Sequence, residues 1–72
     1  MLTEKEKTVL RLLGAHSLVT LPDVKKLLGE TTQDVLQKLI AKKLVSEVRP
    51  AGIACYVITI HGTKALQEIQ EQ

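Results

Sequence analysis

The sequence is nearly without aromatic side chains: Tyr56 stands alone among 72 residues, with no phenylalanine and no tryptophan. Aromatics usually supply much of the buried area in a domain of this size, so the core must be built from Leu, Ile and Val. Aliphatic cores this small seldom contribute more than about 3–5 kcal/mol, and association with a second copy is a common supplement. A homodimer is therefore expected from size alone. Cysteine is scarce too. Cys55, the only one, excludes an internal disulfide and fits a reducing, cytoplasmic setting. No apolar run approaches the roughly 18 residues that a membrane span needs, and charged residues follow closely on Met1, so neither a transmembrane helix nor a secretion signal is expected. A strong excess of either charge is absent as well: 10 Lys and Arg face 8 Asp and Glu, a net +2 that permits a polyanionic partner without demanding one. A chain of 72 residues has room for one core, so positions 1–72 form a single domain. Little space remains for the separate binding, catalytic and closing elements of most enzymes, and a binding or interaction module is expected.

What is present is a series of capped helices and one β-prone stretch. A first helix is predicted over 2–13, opened by Thr3 and Glu6 at capping-box spacing, with Leu2, Val9, Leu10, Leu12 and Leu13 as its apolar stripe and Gly14 as its stop. Leu18-Val19-Thr20 reads as a short edge strand that needs a partner from elsewhere. Thr20 then caps a second helix with Pro22 in its first turn, Leu21, Val24, Leu27 and Leu28 facing inward, and Gly29 ending it. Two residues later Thr31, with Asp34 three positions on, starts a third helix over 31–43. Thr32, Val35, Leu36, Leu39 and Ile40 lie on one side of it and Gln33, Asp34, Gln37, Lys38, Ala41 and Lys42 on the rest. From Leu44 two β-prone runs flank Arg49-Pro50-Ala51-Gly52, which predicts a hairpin. Thr59 caps a last helix with a stripe of Gly62, Ala65, Leu66 and Ile69.

Two helices across a tight turn, followed at once by a hairpin, make an α+β winged helix-turn-helix: a three-helix core, a short strand plus a two-stranded wing, and a C-terminal helix. The isolated strand at 18–20 finds its partner at the hairpin edge. The residues also resemble this family. Leu36-Gln37-Lys38-Leu39-Ile40-Ala41-Lys42-Lys43-Leu44-Val45 is similar to the recognition-helix ending of the multiple-antibiotic-resistance (MarR) regulators and the related PadR type. Ile58-Thr59-Ile60-His61-Gly62-Thr63-Lys64-Ala65-Leu66 is similar to the family's exit from the wing, and Leu2-Thr3-Glu4 to its opening, so the resemblance spans almost the whole chain. It departs from the pattern at Asp34, where Arg is frequent, and at Lys43, where Gly is frequent.

The resemblance implies a double-stranded DNA-binding transcription regulator, with the third helix in the major groove and the wing on the backbone. Thr31, Gln33 and Gln37 carry groups suited to base edges, Gln pairing with adenine in bidentate fashion. Lys38 and Lys42 suit phosphate or guanine, and Lys25, Lys26 and Arg49 complete a phosphate clamp. Asp34 repels phosphate but can accept from cytosine N4. Positions 23–49 hold six basic and four acidic residues, so the whole +2 excess lies in this unit. Each of these side chains alone also suits an ordinary solvent face. The apolar stripe of the C-terminal helix offers a homodimer contact, alone or with helix one, or else closes the domain's own core. A repressor on a pseudo-palindrome follows from the dimer. The alternative is a winged helix used as a protein-interaction adaptor, which the mildly charged third helix with Asp34 suits. Recognition of left-handed duplexes is discounted, because the Tyr and Trp on which related domains rely for it do not occur in the third helix and wing.

Other chemistry is thin. His16, Cys55 and His61 are too scattered for a zinc site, and Cys55 alternates with Ile53 and Val57 as a small buried hydrophobe. Tyr56 is expected to pack beside the wing with its hydroxyl in water. Phosphate-cradling loops, nucleophile elbows and paired carboxylates are missing, so no enzyme activity, cofactor, metal or small-molecule effector is expected.

Overall fold

The computed structural model describes residues 2–16 and 18–70, so the single domain expected over 1–72 is described apart from positions 1, 17, 71 and 72. Helix α1, Glu4–Ala15, starts where Thr3 Oγ1 accepts the Glu6 N–H at 3.2 Å and the Thr3 N–H donates to Glu6 Oε1 at 3.1 Å, the expected capping box. The helix does not stop at Gly14 as the sequence suggested. It runs through, and the Leu66 side chain occupies the place where a Cβ on Gly14 would project, so this glycine marks a close approach between helices instead of an end.

Strand β1, Val19–Thr20, leads directly into α2, Leu21–Leu28. Asp23 Oδ2 accepts from both the Thr20 hydroxyl (2.8 Å) and the Thr20 N–H (3.4 Å), which pins the entry. Val24 is buried and Leu21 and Leu28 lean on the core, but Leu27, expected inward, is 51% exposed. The stripe of a two-turn helix is narrow, and Leu27 lies about 100° round from Leu28. At Gly29, with φ of 62°, α2 gives way to a 3-10 turn, Gly29–Thr31, and then to α3, Thr32–Ala41. Thr31 is therefore not an N-cap. Its backbone is already helical, its hydroxyl donates to the Leu28 carbonyl at 2.9 Å, and its side chain makes no cap bond to the start of α3. Thr32 Oγ1 likewise donates to the Gly29 carbonyl at 2.6 Å.

Helix α3 buries Thr32, Val35, Leu36 and Leu39. It ends in a Schellman closure, with the Leu44 N–H donating to Leu39 O at 3.0 Å and the Lys43 N–H to Ile40 O at 2.9 Å. The closure places Lys43 at φ of +64°, the left-handed conformation for which the family's glycine is suited. The hairpin follows as β2, Val45–Val48, and β3, Cys55–Ile58, joined through a second 3-10 turn at Pro50–Gly52. The antiparallel sheet has the order β1-β3-β2, with Val19 opposite Tyr56 and Glu47 also opposite Tyr56 from the other side. Cys55 is buried as expected, whereas Ile53 is exposed.

Helix α4, Ile60–Gln70, is capped by Thr59, whose Oγ1 accepts the Gly62 N–H at 3.0 Å and donates to the Lys43 carbonyl at 2.7 Å. A Cβ at Gly62 would run into the Leu44 carbonyl oxygen, so glycine is what lets the last helix lie against the end of α3. Leu66 is buried against α1, and Ala65 and Ile69 lean on the same core. The stripe thus packs on the chain's own core through Leu66 and leaves Ala65 and Ile69 partly uncovered. The outer side of α4 is polar apart from Ile60.

Candidate nucleic-acid interface

The buried residues of α3 sit at 32, 35, 36 and 39, and helical geometry then turns Gln33, Asp34, Gln37 and Lys38 to the opposite side, where all four are exposed. Asp34 in the first turn and Lys38 in the last each match the sign of the helix dipole. On one flank, Asp34 and Lys38 border a groove of about 360 Å³ shared with Thr3, Glu4 and Lys5 of the opening of α1. Lys5 is thus a cation beside this face that the sequence reading did not include. Lys25 and Lys26 are exposed on α2, beside Pro22, Gly29 and Glu30. Thr31 is half-buried, and its hydroxyl proton is committed to Leu28.

Two of the expected phosphate ligands are engaged within the chain. Lys42 Nζ meets Glu6 Oε2 at 2.8 Å, a pair linking the start of α1 to the end of α3 across 36 positions. Glu6 is 1% exposed. Burial by itself would push its carboxyl up, but the Lys42 hydrogen bond, the Thr3 bonds and the Lys42 charge outweigh it and hold the group below the ordinary glutamate range. Lys42 is therefore the counterion of a buried carboxylate within the chain. At the wing, Arg49 Nε donates to Glu47 Oε2 at 3.1 Å, and the Tyr56 hydroxyl donates to Glu47 Oε1 at 3.1 Å. Tyr56 is buried with its hydroxyl bonded, not wet as expected, and burial followed by the Glu47 bond pushes its pKa up. At the other end of the helix-turn-helix, hydrogen bonds from the Thr20 hydroxyl and backbone hold Asp23 below the usual carboxylate range.

Glu6 and Glu47 were the functional neighbours missing from the sequence reading. Glu6 carried a signal: with Leu2, Val9, Leu10 and Leu13 it falls on a single helical stripe, so its burial follows from spacing. The role of Glu47 depends on the hairpin register, which the sequence does not display. Among the described residues no group of three His, Cys, Asp or Glu side chains is placed to hold a metal ion, and no helix is long and apolar enough to cross a membrane.

A helix-turn-helix with a polar outer face on its second helix, completed by an antiparallel hairpin and a capped closing helix, defines an α+β winged helix-turn-helix domain. No protein-family model matches the sequence, and a search of curated proteins finds no match. Among solved structures, a substitution mutant of MepR from S. aureus has a TM-score of 0.87 at 27% sequence identity, over 97% of this chain and 56% of that one. MepR is a winged-helix regulator of the MarR family, and this chain is similar to it in fold over nearly its whole length. The chain spans little more than half the length of MepR.

Proposed function

We propose that the chain is a sequence-specific double-stranded DNA-binding transcription regulator, with α3 in the major groove and the wing near 49–52 on the backbone. The observation that carries this reading is the polar outer face of α3, Gln33, Asp34, Gln37 and Lys38, held rigidly by the buried residues on the opposite side. Amide side chains on such a face suit base edges, while Lys25, Lys26 and Lys38 suit phosphates. The likeness to MepR supports the regulator class over an enzyme. We place the protein in the cytoplasm and make it a homodimeric repressor, the dimer doubling a modest phosphate footprint. It joins through α4, where Ala65 and Ile69 stay half-exposed beside Leu66.

The test is a duplex selected from a random pool and titrated by fluorescence anisotropy beside an unselected one. Gln37→Ala should cost about 1–3 kcal/mol on the selected duplex and much less on the other, with folding unchanged. Sedimentation over a hundredfold concentration range that finds monomer throughout would refute the dimer. A second reading, a protein-interaction adaptor, draws on the engagement of Lys42 by Glu6 and of Arg49 by Glu47, and on Asp34 at the centre of the face. It gains the field if neither duplex binds at low salt.

A further inference from the structure

Tyr56 is the chain's one aromatic residue, and it ties the core to the wing. Its ring is buried with the aliphatic cluster, and its hydroxyl reaches Glu47. That contact follows from the ladder: Glu47 and Tyr56 are directly opposite partners in the β2–β3 pair, so their side chains share one face of the hairpin. Arg49, two positions beyond Glu47, takes the other carboxylate oxygen through Nε. Ring, carboxylate and guanidinium therefore form a continuous chain from the core to the edge of the wing tip. An exposed Glu–Arg pair by itself holds its arginine loosely and contributes little. This carboxylate is different because a hydroxyl on an immobile ring fixes one of its oxygens. The bond to Glu47 uses only Nε of Arg49, and among the described residues nothing takes its two terminal nitrogens, part of the donor fork that fits a phosphate.

We infer that Tyr56 is a positioning residue for the wing: through Glu47 it holds the Arg49 guanidinium ordered before DNA arrives. The inference rests on the DNA-binding reading above and adds a residue that touches no DNA. Because burial and Glu47 raise the phenol's pKa, the hydroxyl remains a donor throughout the neutral range.

A double-mutant cycle on the whole chain tests it. Tyr56→Phe keeps the ring and should weaken binding of the selected duplex about 3- to 10-fold, the scale of disordering one long side chain before association. In an Arg49→Ala background the same change should cost less than about 2-fold, because the residue it positions is gone. In the free protein, the Arg49 Nε–Hε resonance should move from a hydrogen-bonded position to that of a solvated arginine on Tyr56→Phe. Equal losses in both backgrounds, or an Arg49 resonance that does not move, would overturn the inference. Absence of any duplex binding by the unaltered chain at low salt overturns the DNA reading itself and is recognisably a different result.

Discussion

Glu6→Gln keeps the shape of an enclosed side chain and removes its charge. The wild-type carboxylate accepts from the Thr3 N–H at 3.1 Å and from Lys42 at 2.8 Å. Glutamine can keep the first bond through its amide oxygen, but toward Lys42 it offers a neutral acceptor or a repelling NH₂. A charge-assisted bond contributes about 1.5–3 kcal/mol. The Lys42 side chain is 39% exposed, so water screens the pair, and the lower end of that range, about 1.5 kcal/mol, is the expected loss at pH 7. In a domain of this size that lowers Tm by about 6–12 °C. The pH dependence gives the sharper signature. The folded carboxyl lies below its unfolded value, so its stabilisation is complete above the unfolded pKa, about 4.3, and disappears as pH falls through the folded value. Glutamine does not titrate. Urea unfolding of both proteins should therefore give a constant gap from pH 8 to about 5 that closes below about 4. A gap under about 0.5 kcal/mol at pH 7, or one that persists unchanged at pH 3, would refute the ion pair as a stabilising tie.

Three further substitutions probe the frame. Lys43→Gly should relieve a left-handed residue worth about 1–2 kcal/mol while adding about 0.4–1 kcal/mol of unfolded-state entropy, a net gain of about 0.5 kcal/mol seen as a Tm rise of a few degrees. Gly62→Ala drives a methyl into the Leu44 carbonyl, a backbone atom that cannot turn aside, and should cost more than about 2 kcal/mol in urea unfolding. Leu27→Gln should change stability by less than about 0.5 kcal/mol, since that side chain already faces water, and a loss typical of a core leucine would contradict the placement.

The helices were legible because their caps and stripes are local. Thr3 with Glu6, Thr20 before Pro22, and Thr59 before Gly62 each mark a start within four residues of sequence. The errors fall where distant elements decide. Gly14 has the look of a terminator until Leu66, 52 positions on, proves to lie against it. Thr31 and Asp34 have the spacing of a cap, but the 3-10 turn carries the chain into α3 without leaving helical backbone. The outer face of α3 could be read from periodicity alone, whereas the charge state of the interface could not. The partners of Lys42 and Arg49 are Glu6 and Glu47, one brought in by the packing of α1 and the other held by Tyr56 through a hairpin register that its turn conceals.

The central claim, that α3 and the wing read duplex DNA, is tested most directly by following backbone amide shifts while a selected duplex is titrated into the labelled chain at moderate salt. The account predicts the largest changes at 31–38 and 49–52, with smaller ones at Lys25 and Lys26. Changes confined to α4, or none at saturating duplex, would contradict it.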